Sequence, residues 1–241
     1  MRISLLLAAL LIVAPWSASA REVERPYLVR EMHLSNSLEA HLVWFDRTLY
    51  TVRVIDLIPG MTVAQAVQTN GGMAGVNGGY FQPNHEPMGL VVSQGVQKHP
   101  METAKILTGV LAVTPRGTAL LRNAEFKLGR NLREALQAGP FLVDHGKPVT
   151  GLNATRRAER TVLLAEREGV MALLITAPVT LAELAQILAA PDFLSGLKID
   201  RALNLDGGSS TALWVATDPA PYSHPEWKAV RNAVAIVPMA K

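Results

Sequence analysis

The sequence predicts an α+β fold: a single domain with a mixed, largely antiparallel sheet and a few packed helices. Three observations predict it. Apolar segments rich in β-branched and aromatic residues outnumber those with helical spacing. Several of these segments are neighbours in sequence, separated only by short turns, as in hairpins. The chain has 241 residues and is 49% hydrophobic, so it is long and apolar enough to bury one sizeable core.

In the first half of the chain, strands alternate with short helices. Segments 38–45 and 48–56 are strand-like and are separated by Asp46-Arg47, which predicts a hairpin. Thr62 is a helix cap, and the helix it begins extends to Gln68, before Asn70-Gly71-Gly72. Further along we expect strands at 73–76 and 89–92, a hairpin of 106–113 with 118–121, and a helix from Asn131 to Gly139-Pro140.

The second half contains a strand at 141–143 and the most regular hairpin of the chain, 161–165 with 170–176. Thr180 and Glu183 have the spacing of a capping box, which predicts a helix to Ala190. Strands at 202–205 and 231–237 follow, with a short apolar run ending at Val215. Segment 218–228 is too long for a tight turn and is either a lid or a plain surface loop.

The N-terminus has the pattern of a secretory signal peptide. Arg2 provides the positive charge, 5–14 the apolar region, and Ala18-Ser19-Ala20 a small-residue cleavage site. We therefore expect residues 1–20 to be removed and residues 21–241 to form the mature domain, periplasmic or secreted and without a stable membrane span. The alternative is a retained anchor, for which the apolar run is short.

Composition excludes several classes of site. The chain has no Cys, which excludes disulfides, thiol catalysis and zinc–thiolate sites. Its six His residues lack paired-ligand spacing, so the sequence does not support a zinc site. The net charge of +3 is spread thinly, and its densest group is Arg156, Arg157 and Arg160. That group is too small to bind along nucleic acid, so we expect a localised anionic ligand instead.

Two segments have the same sequence pattern: an apolar strand is followed by a polar residue and then by two glycines. They are Val76-Asn77-Gly78-Gly79-Tyr80-Phe81 and Asn204-Leu205-Asp206-Gly207-Gly208-Ser209-Ser210-Thr211. Paired glycines let main-chain N–H groups approach an anionic ligand closely. Alternation places Asn204 and Asp206 on one face of their strand, about 6 to 7 Å apart. The plainer interpretation is a pair of sharp turns, with Asp206 capping its own loop.

Arg160 immediately precedes the first strand of the most regular hairpin, and its planar fork suits a phosphate or carboxylate. The alternative is a solvated ion pair with Glu159 or Glu166. The chain has no Gly-x-Ser-x-Gly elbow, so a serine hydrolase based on Ser209 or Ser210 has weak support.

Several blocks occur in the order found in a known family. They are Asn77-Gly78-Gly79-Tyr80-Phe81, Pro87-Met88-Gly89, Gln137-Ala138-Gly139-Pro140-Phe141-Leu142-Val143, Arg160-Thr161, Leu203-Asn204-Leu205-Asp206-Gly207-Gly208-Ser209-Ser210-Thr211, and Arg231. The chain thus resembles the phosphodiester glycosidase domain family from about residue 70 to residue 237. The resemblance implies an exported hydrolase of an N-acetylglucosamine-1-phosphodiester-like linkage, acting on envelope or extracellular glycans. Family residues carried over are Asn77, Gly78, Arg160, Asn204, Asp206, Gly207 and Gly208.

From this we assign Asp206 as base or nucleophile, with Arg160 and Asn77 also catalytic. The predicted substrate-binding residues are Gly78, Gly79, Asn204, Gly207, Gly208 and Ser209. The substrate is a sugar phosphate or glycan, and no cofactor is required, although Asp206 with main-chain carbonyls is also able to hold Mg²⁺ or Ca²⁺. The alternative function is a non-catalytic glycan-binding module of the envelope, which needs no ionised Asp206.

Overall fold

The computed structural model describes residues 27–34, 38–167, 169–191, 193 and 198–239, which form three sheets and two α-helices. Every strand pairing within these residues is antiparallel. The largely antiparallel sheet is therefore confirmed. The predicted α+β class holds only in part, because the described chain is predominantly β with two α-helices. The predicted signal peptide lies outside the described residues.

Strands far outnumber helices along the described chain. In chain order, the strands are β1 (Tyr27–Leu34), β2 (Leu38–Asp46), β3 (Tyr50–Asp56), β4 (Ala74–Asn77), β5 (Val91–Ser93), β6 (Val96–His99), β7 (Gly109–Thr114), β8 (Gly117–Arg122), β9 (Glu134–Ala138), β10 (Phe141–Asp144), β11 (Lys147–Pro148), β12 (Ala158–Glu166), β13 (Val170–Val179), β14 (Ile199–Asn204), β15 (Leu213–Val215), β16 (Tyr222–His224) and β17 (Asn232–Pro238). The helices are α1 (Val63–Thr69), α2 (Leu181–Ala189) and a short 3-10 turn at Gly208–Ser210.

Each sheet combines strands that are distant in sequence. The first sheet has seven strands in the order β1-β2-β13-β12-β14-β10-β11. The second has the order β16-β15-β4-β17-β3, and the third β6-β5-β9-β7-β8. The inner faces of all three enclose one large apolar core. Strand β13 shows the alternation, because Leu173 and Ile175 face that core while Ala172 and Leu174 pack with α2 on the outer face.

The predicted hairpin of 38–45 with 48–56 is wrong. Strand β2 pairs with β1 and β13 in the first sheet, whereas β3 pairs with β17 in the second. The turn between them is tight, with Asp46 Oδ1 accepting a 2.7 Å hydrogen bond from the amide of Thr48. It carries the chain from the first sheet to the second, and residues of both strands face the same apolar core. Adjacency in sequence did not specify pairing.

The predicted helix from Asn131 to Gly139 is also wrong. This segment forms β9, whose five residues are all buried between β5 and β7. Its Leu, Glu, Ala and Gln are good helix formers, but ladder hydrogen bonds on both sides override that weak preference. The two polar side chains are satisfied inside the core: Glu134 accepts from the amides of Val54 and Gln94, and Gln137 Nε2 donates to the Glu102 carbonyl.

The remaining predicted elements are present, with shifted ends. Hairpins β7–β8 and β12–β13 form as expected. Thr62 caps α1 in a complete capping box with Gln65, and Thr180 Oγ1 caps α2 through the amide of Glu183. Segment 218–228 contains β16, which pairs with β15. Within the described residues no helix is long and apolar enough to cross a membrane.

Candidate active site at the junction of the three sheets

The two glycine-bearing bends lie side by side, although they are far apart in sequence. The first follows β4 of the second sheet, and the second follows β14 of the first sheet. The amide of Asp206 donates to the Gly78 carbonyl at 3.1 Å, and Asn77 Nδ2 donates to the Asp206 carbonyl at 2.8 Å. These two hydrogen bonds join the bends directly, so the sheets meet at Asp206.

Asn77 is completely buried and its side chain bonds only to the protein. Its Oδ1 accepts from Thr161 Oγ1 at 2.7 Å and from the amide of Ala212 at 3.1 Å. The Asn77 side chain therefore links β12, the residue before β15 and the bend after β14. Asn77 was predicted to be catalytic, but its side chain contacts the main chain of Asp206 and does not line the cavity described below.

Gly78 and Gly79 use their amides to hold β17. The Gly78 amide donates to the Asn232 carbonyl at 2.8 Å, and the Gly79 amide to Asn232 Oδ1 at 2.7 Å. A Cβ atom at Gly78 would lie 2.0 Å from Asn232 Oδ1, so only glycine fits. Gly78 and Gly79 were predicted to bind substrate, but both amide donors are engaged with Asn232 in this structure.

A cavity of about 250 Å³ lies on the other side of the second bend. It is lined by Tyr80, Ile106, Asn153, Arg156, Ala158, Arg160, Leu181, Asn204, Asp206, Gly207 and Gly208. Five predicted site residues are in this set, whereas Asn77, Gly78, Gly79 and Ser209 are not. Larger cavities of about 280, 390 and 440 Å³ lie elsewhere, but every charged residue lining them is at least partly exposed.

Arg160 provides a buried positive charge in this cavity. Only 8% of the residue is exposed, and its Nε and Nη2 atoms donate to the carbonyls of Val179 and Arg156 at 3.0 and 2.7 Å. It forms no salt bridge within the described residues, so the predicted alternative of an ion pair with Glu159 or Glu166 is wrong. Burial lowers the pKa of the guanidinium, which nevertheless stays charged. Nη1 has no carbonyl partner in this part of the chain.

Asp206 provides the carboxylate of the cavity. Burial is the main cause that raises the pKa of Asp206, and the Ser210 hydroxyl and Gly207 amide oppose the shift. The Gly207 amide donates to Asp206 Oδ1 at 2.9 Å. A Cβ at Gly207 would lie 2.6 Å from the Glu159 carbonyl, so the bend lies tightly against β12, beside Arg160.

Tyr80 and Asn204 also line the cavity that contains Asp206 and Arg160. Tyr80 donates to the Gly139 carbonyl at 2.7 Å, and Asn204 Nδ2 donates to the Tyr80 hydroxyl at 3.0 Å. Burial, followed by the nearby Asp206 carboxylate, raises the pKa of Tyr80 far above its usual range. Tyr80 therefore stays neutral and serves as a hydrogen-bonding surface, not as a base.

Ser209 lies outside the cavity. It is exposed, and its carbonyl accepts from the amides of Trp227 and Lys228, which ties segment 218–228 to the second bend. Ser210, not Ser209, is the hydroxyl beside Asp206. The substrate-binding role predicted for Ser209 therefore has no support in the geometry.

Three polar lining residues, Tyr80, Asn153 and Arg156, were not among the predicted site residues. Arg156 was visible as a member of the basic group with Arg160, but nothing local separates it from Arg157. Asn153 organises the loop, since its Oδ1 accepts from the amides of Thr155 and Arg156 at 3.1 and 2.7 Å. Within the described residues, no three His, Cys, Asp or Glu side chains cluster to hold a metal ion.

Comparison with known proteins identifies the family. The family model described as phosphodiester glycosidase matches residues 70–237. The fold is similar to the zebrafish N-acetylglucosamine-1-phosphodiester alpha-N-acetylglucosaminidase catalytic domain auto-inhibited by pro-peptide, at TM-score 0.63 and 16% identity over 88% of this chain and 81% of that one.

Two bacterial structures share the fold. A hypothetical protein from Synechocystis has TM-score 0.58 and 18% identity over 88% of this chain and 61% of its own. An exported protein from Burkholderia pseudomallei has TM-score 0.52 and 13% identity over 84% and 75%. No curated protein matches. Because the family model spans well over half of the chain, the protein belongs to the phosphodiester glycosidase family.

Proposed function

We propose that this protein hydrolyses a sugar-1-phosphodiester of the N-acetylglucosamine-1-phosphate type at the Arg160–Asp206 cavity. One observation carries the proposal: Arg160 is buried without an acidic partner in the described chain, in the same cavity as a carboxylate of raised pKa. An uncompensated buried cation is costly unless a ligand supplies the negative charge. A phosphodiester supplies one negative charge and the oxygens that a guanidinium fork binds.

The chemistry requires little more than one carboxylate. Glycosidases normally use two, one of them an acid that protonates the leaving oxygen. Here the leaving group is a phosphate monoester, whose second pKa is only about 6, so it departs without strong acid assistance. Asp206 acts as general base towards water, or as the nucleophile, at the anomeric carbon.

In the base mechanism, the water oxygen bonds to the anomeric carbon as the bond to the bridging oxygen breaks. The electron pair of that bond stays on the phosphate, and the water proton passes to Asp206. Arg160 binds the phosphate, and the amide of Gly208, which has φ +62° and no acceptor in the described chain, is positioned as a further donor. Asn204 and Tyr80 orient the sugar ring.

The test is incubation with a methyl phosphodiester of N-acetylglucosamine-1-phosphate in ¹⁸O water, with product masses recorded. We expect release of free sugar carrying ¹⁸O, and loss of most turnover in Asp206→Asn without loss of folding. A parent enzyme that binds the diester but never releases sugar, with binding intact in Asp206→Asn, would instead identify a glycan-binding module. Activity measured in EDTA decides whether a divalent cation at Asp206 takes part.

The proposal includes export. Cleavage after Ala20 would place the mature enzyme in the periplasm or outside the cell, where envelope glycans and sugar-phosphate polymers are substrates. Mass spectrometry of the protein from its native host should give a mature N-terminus at Arg21. An intact Met1 in the purified native protein would remove this part of the proposal.

A further inference from the structure

We propose that Arg156 is a second phosphate-binding residue, one that stabilises the extra negative charge developing on the leaving phosphate. The inference rests on the proposed function, because it concerns the same cavity. Arg156 lines that cavity and is exposed, and its guanidinium makes no hydrogen bond or salt bridge within the described residues. A free guanidinium at the mouth of a cavity is available for a ligand.

The neighbouring Arg157 differs from Arg156, because its guanidinium is bonded to the protein. Both residues lie in the same exposed segment and carry the same charge. Arg157 points to the protein, with Nη1 2.8 Å from Glu183 Oε2 and Nη2 2.9 Å from the Pro178 carbonyl. Arg157 is absent from the cavity lining, whereas Arg156 is part of it. The protein therefore neutralises one arginine and leaves the other for the site.

The main chain of Arg156 is fixed although its side chain is not. Asn153 Oδ1 accepts from the Arg156 amide, and the Asn153 carbonyl accepts from the amide of Ala182 in α2. The Arg156 carbonyl in turn accepts from Arg160 Nη2 at 2.7 Å. The two arginines are thus held side by side. The charge of Arg156 also opposes the rise in the pKa of Asp206 and of Tyr80, both of which line the same cavity.

The charge change of the reaction explains why two guanidiniums are present. A phosphodiester carries one negative charge, which Arg160 alone balances. When the anomeric C–O bond breaks, the bridging oxygen keeps the electron pair, and the product is a monoester with up to two charges. A second guanidinium therefore matches the leaving phosphate better than the bound substrate, and such differential stabilisation raises kcat. Arg156 takes over the task that a general acid performs in other glycosidases.

The kinetic test compares Arg156→Ala with Arg157→Ala on the methyl phosphodiester. We expect kcat to fall about 100-fold in Arg156→Ala with little change in KM, and to stay within about twofold in Arg157→Ala. Added guanidinium ions should partly restore the first variant and not affect the second. A rise in KM at unchanged kcat, or equal behaviour of the two variants, would overturn the inference.

A binding test separates this inference from the proposed function. Calorimetric titration with phenyl phosphate, a dianion near pH 8, and with methyl phenyl phosphate, a monoanion, requires no turnover. We expect Arg156→Ala to lose about tenfold or more in affinity for the dianion and much less for the monoanion. Equal losses of affinity for both probes would contradict the inference that Arg156 binds the second negative charge of the phosphate. If the parent releases no sugar but Arg156→Ala still loses more affinity for phenyl phosphate than for methyl phenyl phosphate, only the proposed hydrolysis is contradicted.

Discussion

Asn77 holds Asp206 by its main chain, with Nδ2 of Asn77 2.8 Å from the Asp206 carbonyl oxygen. The same side chain accepts from Thr161 Oγ1 of β12, the strand that carries Arg160. One buried amide thus fixes the acid relative to the guanidinium. The relationship also explains why a residue that does not line the cavity is important for the site.

Asn77→Ala should therefore reduce both stability and turnover. It leaves the Asp206 carbonyl, the Ala212 amide and the Thr161 hydroxyl without this partner, at about 1–3 kcal/mol for each group left unsatisfied. Urea unfolding and steady-state kinetics measure the two effects. Asn84→Ala is the control, because Asn84 is exposed and bonds only locally to the Glu86 amide. Normal kcat in a folded Asn77→Ala would contradict the positioning role.

Gly207→Ala should displace Asp206. The added Cβ would lie 2.6 Å from the Glu159 carbonyl, a contact that main-chain atoms relieve only by moving the bend away from β12. We expect a loss of kcat of about 100-fold, since a shift of about 1 Å has that effect on aligned groups. Gly129→Ala is the matched control, because its Cβ would meet nothing within 4 Å. Equal activity in the two variants would argue against close packing at Gly207.

Arg160→Lys should distinguish charge from geometry. Lysine keeps the positive charge but loses the planar fork and its bonds to the Val179 and Arg156 carbonyls. We expect binding of the methyl phosphodiester to weaken about 10- to 100-fold, the range for a hydrogen bond to a charged group. Hydrolysis or binding of a neutral nitrophenyl glycoside should be unaffected. Equal losses on both compounds would mean that Arg160 is only structural.

The raised pKa of Asp206 has consequences for activity and for stability. If the ionised carboxylate acts as base, kcat/KM should rise with pH through a midpoint above that of an ordinary aspartate. Folding favours the protonated form, so the contribution of Asp206 to stability is present at acidic pH and decreases as pH rises through its folded pKa. Asp206→Asn should therefore gain in Tm relative to the parent at pH 8 and show a smaller difference at pH 4. A difference of opposite sign would refute the raised pKa.

Glu134 provides a separate test of the β9 assignment. Burial is the main cause that raises its pKa, while Oε2 accepts from the amides of Val54 and Gln94. Glu134→Gln keeps an acceptor and removes the buried charge, so it should be more stable than the parent at neutral pH, with the advantage fading in acid. Glu134→Ala should lose about 1–3 kcal/mol for each unsatisfied amide. Thermal unfolding at two pH values checks both, and an inert Glu134→Ala would place the residue at the surface.

The sequence by itself determined the local features on which the site depends. The bends at Asn77–Gly78 and Asp206–Gly207 were visible because a glycine pair after an apolar strand permits backbone conformations that other residues rarely adopt, and so indicates a sharp bend. Both helix caps and the β12–β13 hairpin could also be predicted, because the residues that specify each of them lie close together in the sequence. The family resemblance followed from the same blocks.

Only the tertiary structure decided which strands pair and which groups face the cavity. Strands β2 and β3 are adjacent in sequence, but each pairs with strands that are distant in sequence, so the predicted hairpin was wrong. Likewise, β9 is a strand because of its pairing with β5 and β7, although its residues favour a helix. The amides of Gly78 and Gly79 donate hydrogen bonds to Asn232, and the Arg157 guanidinium forms an ion pair with Glu183. The Arg156 guanidinium has no such partner in the described chain. The physical reason is that hydrogen bonds and ion pairs are shared between residues far apart in sequence, so a side chain's availability depends on its neighbours in space.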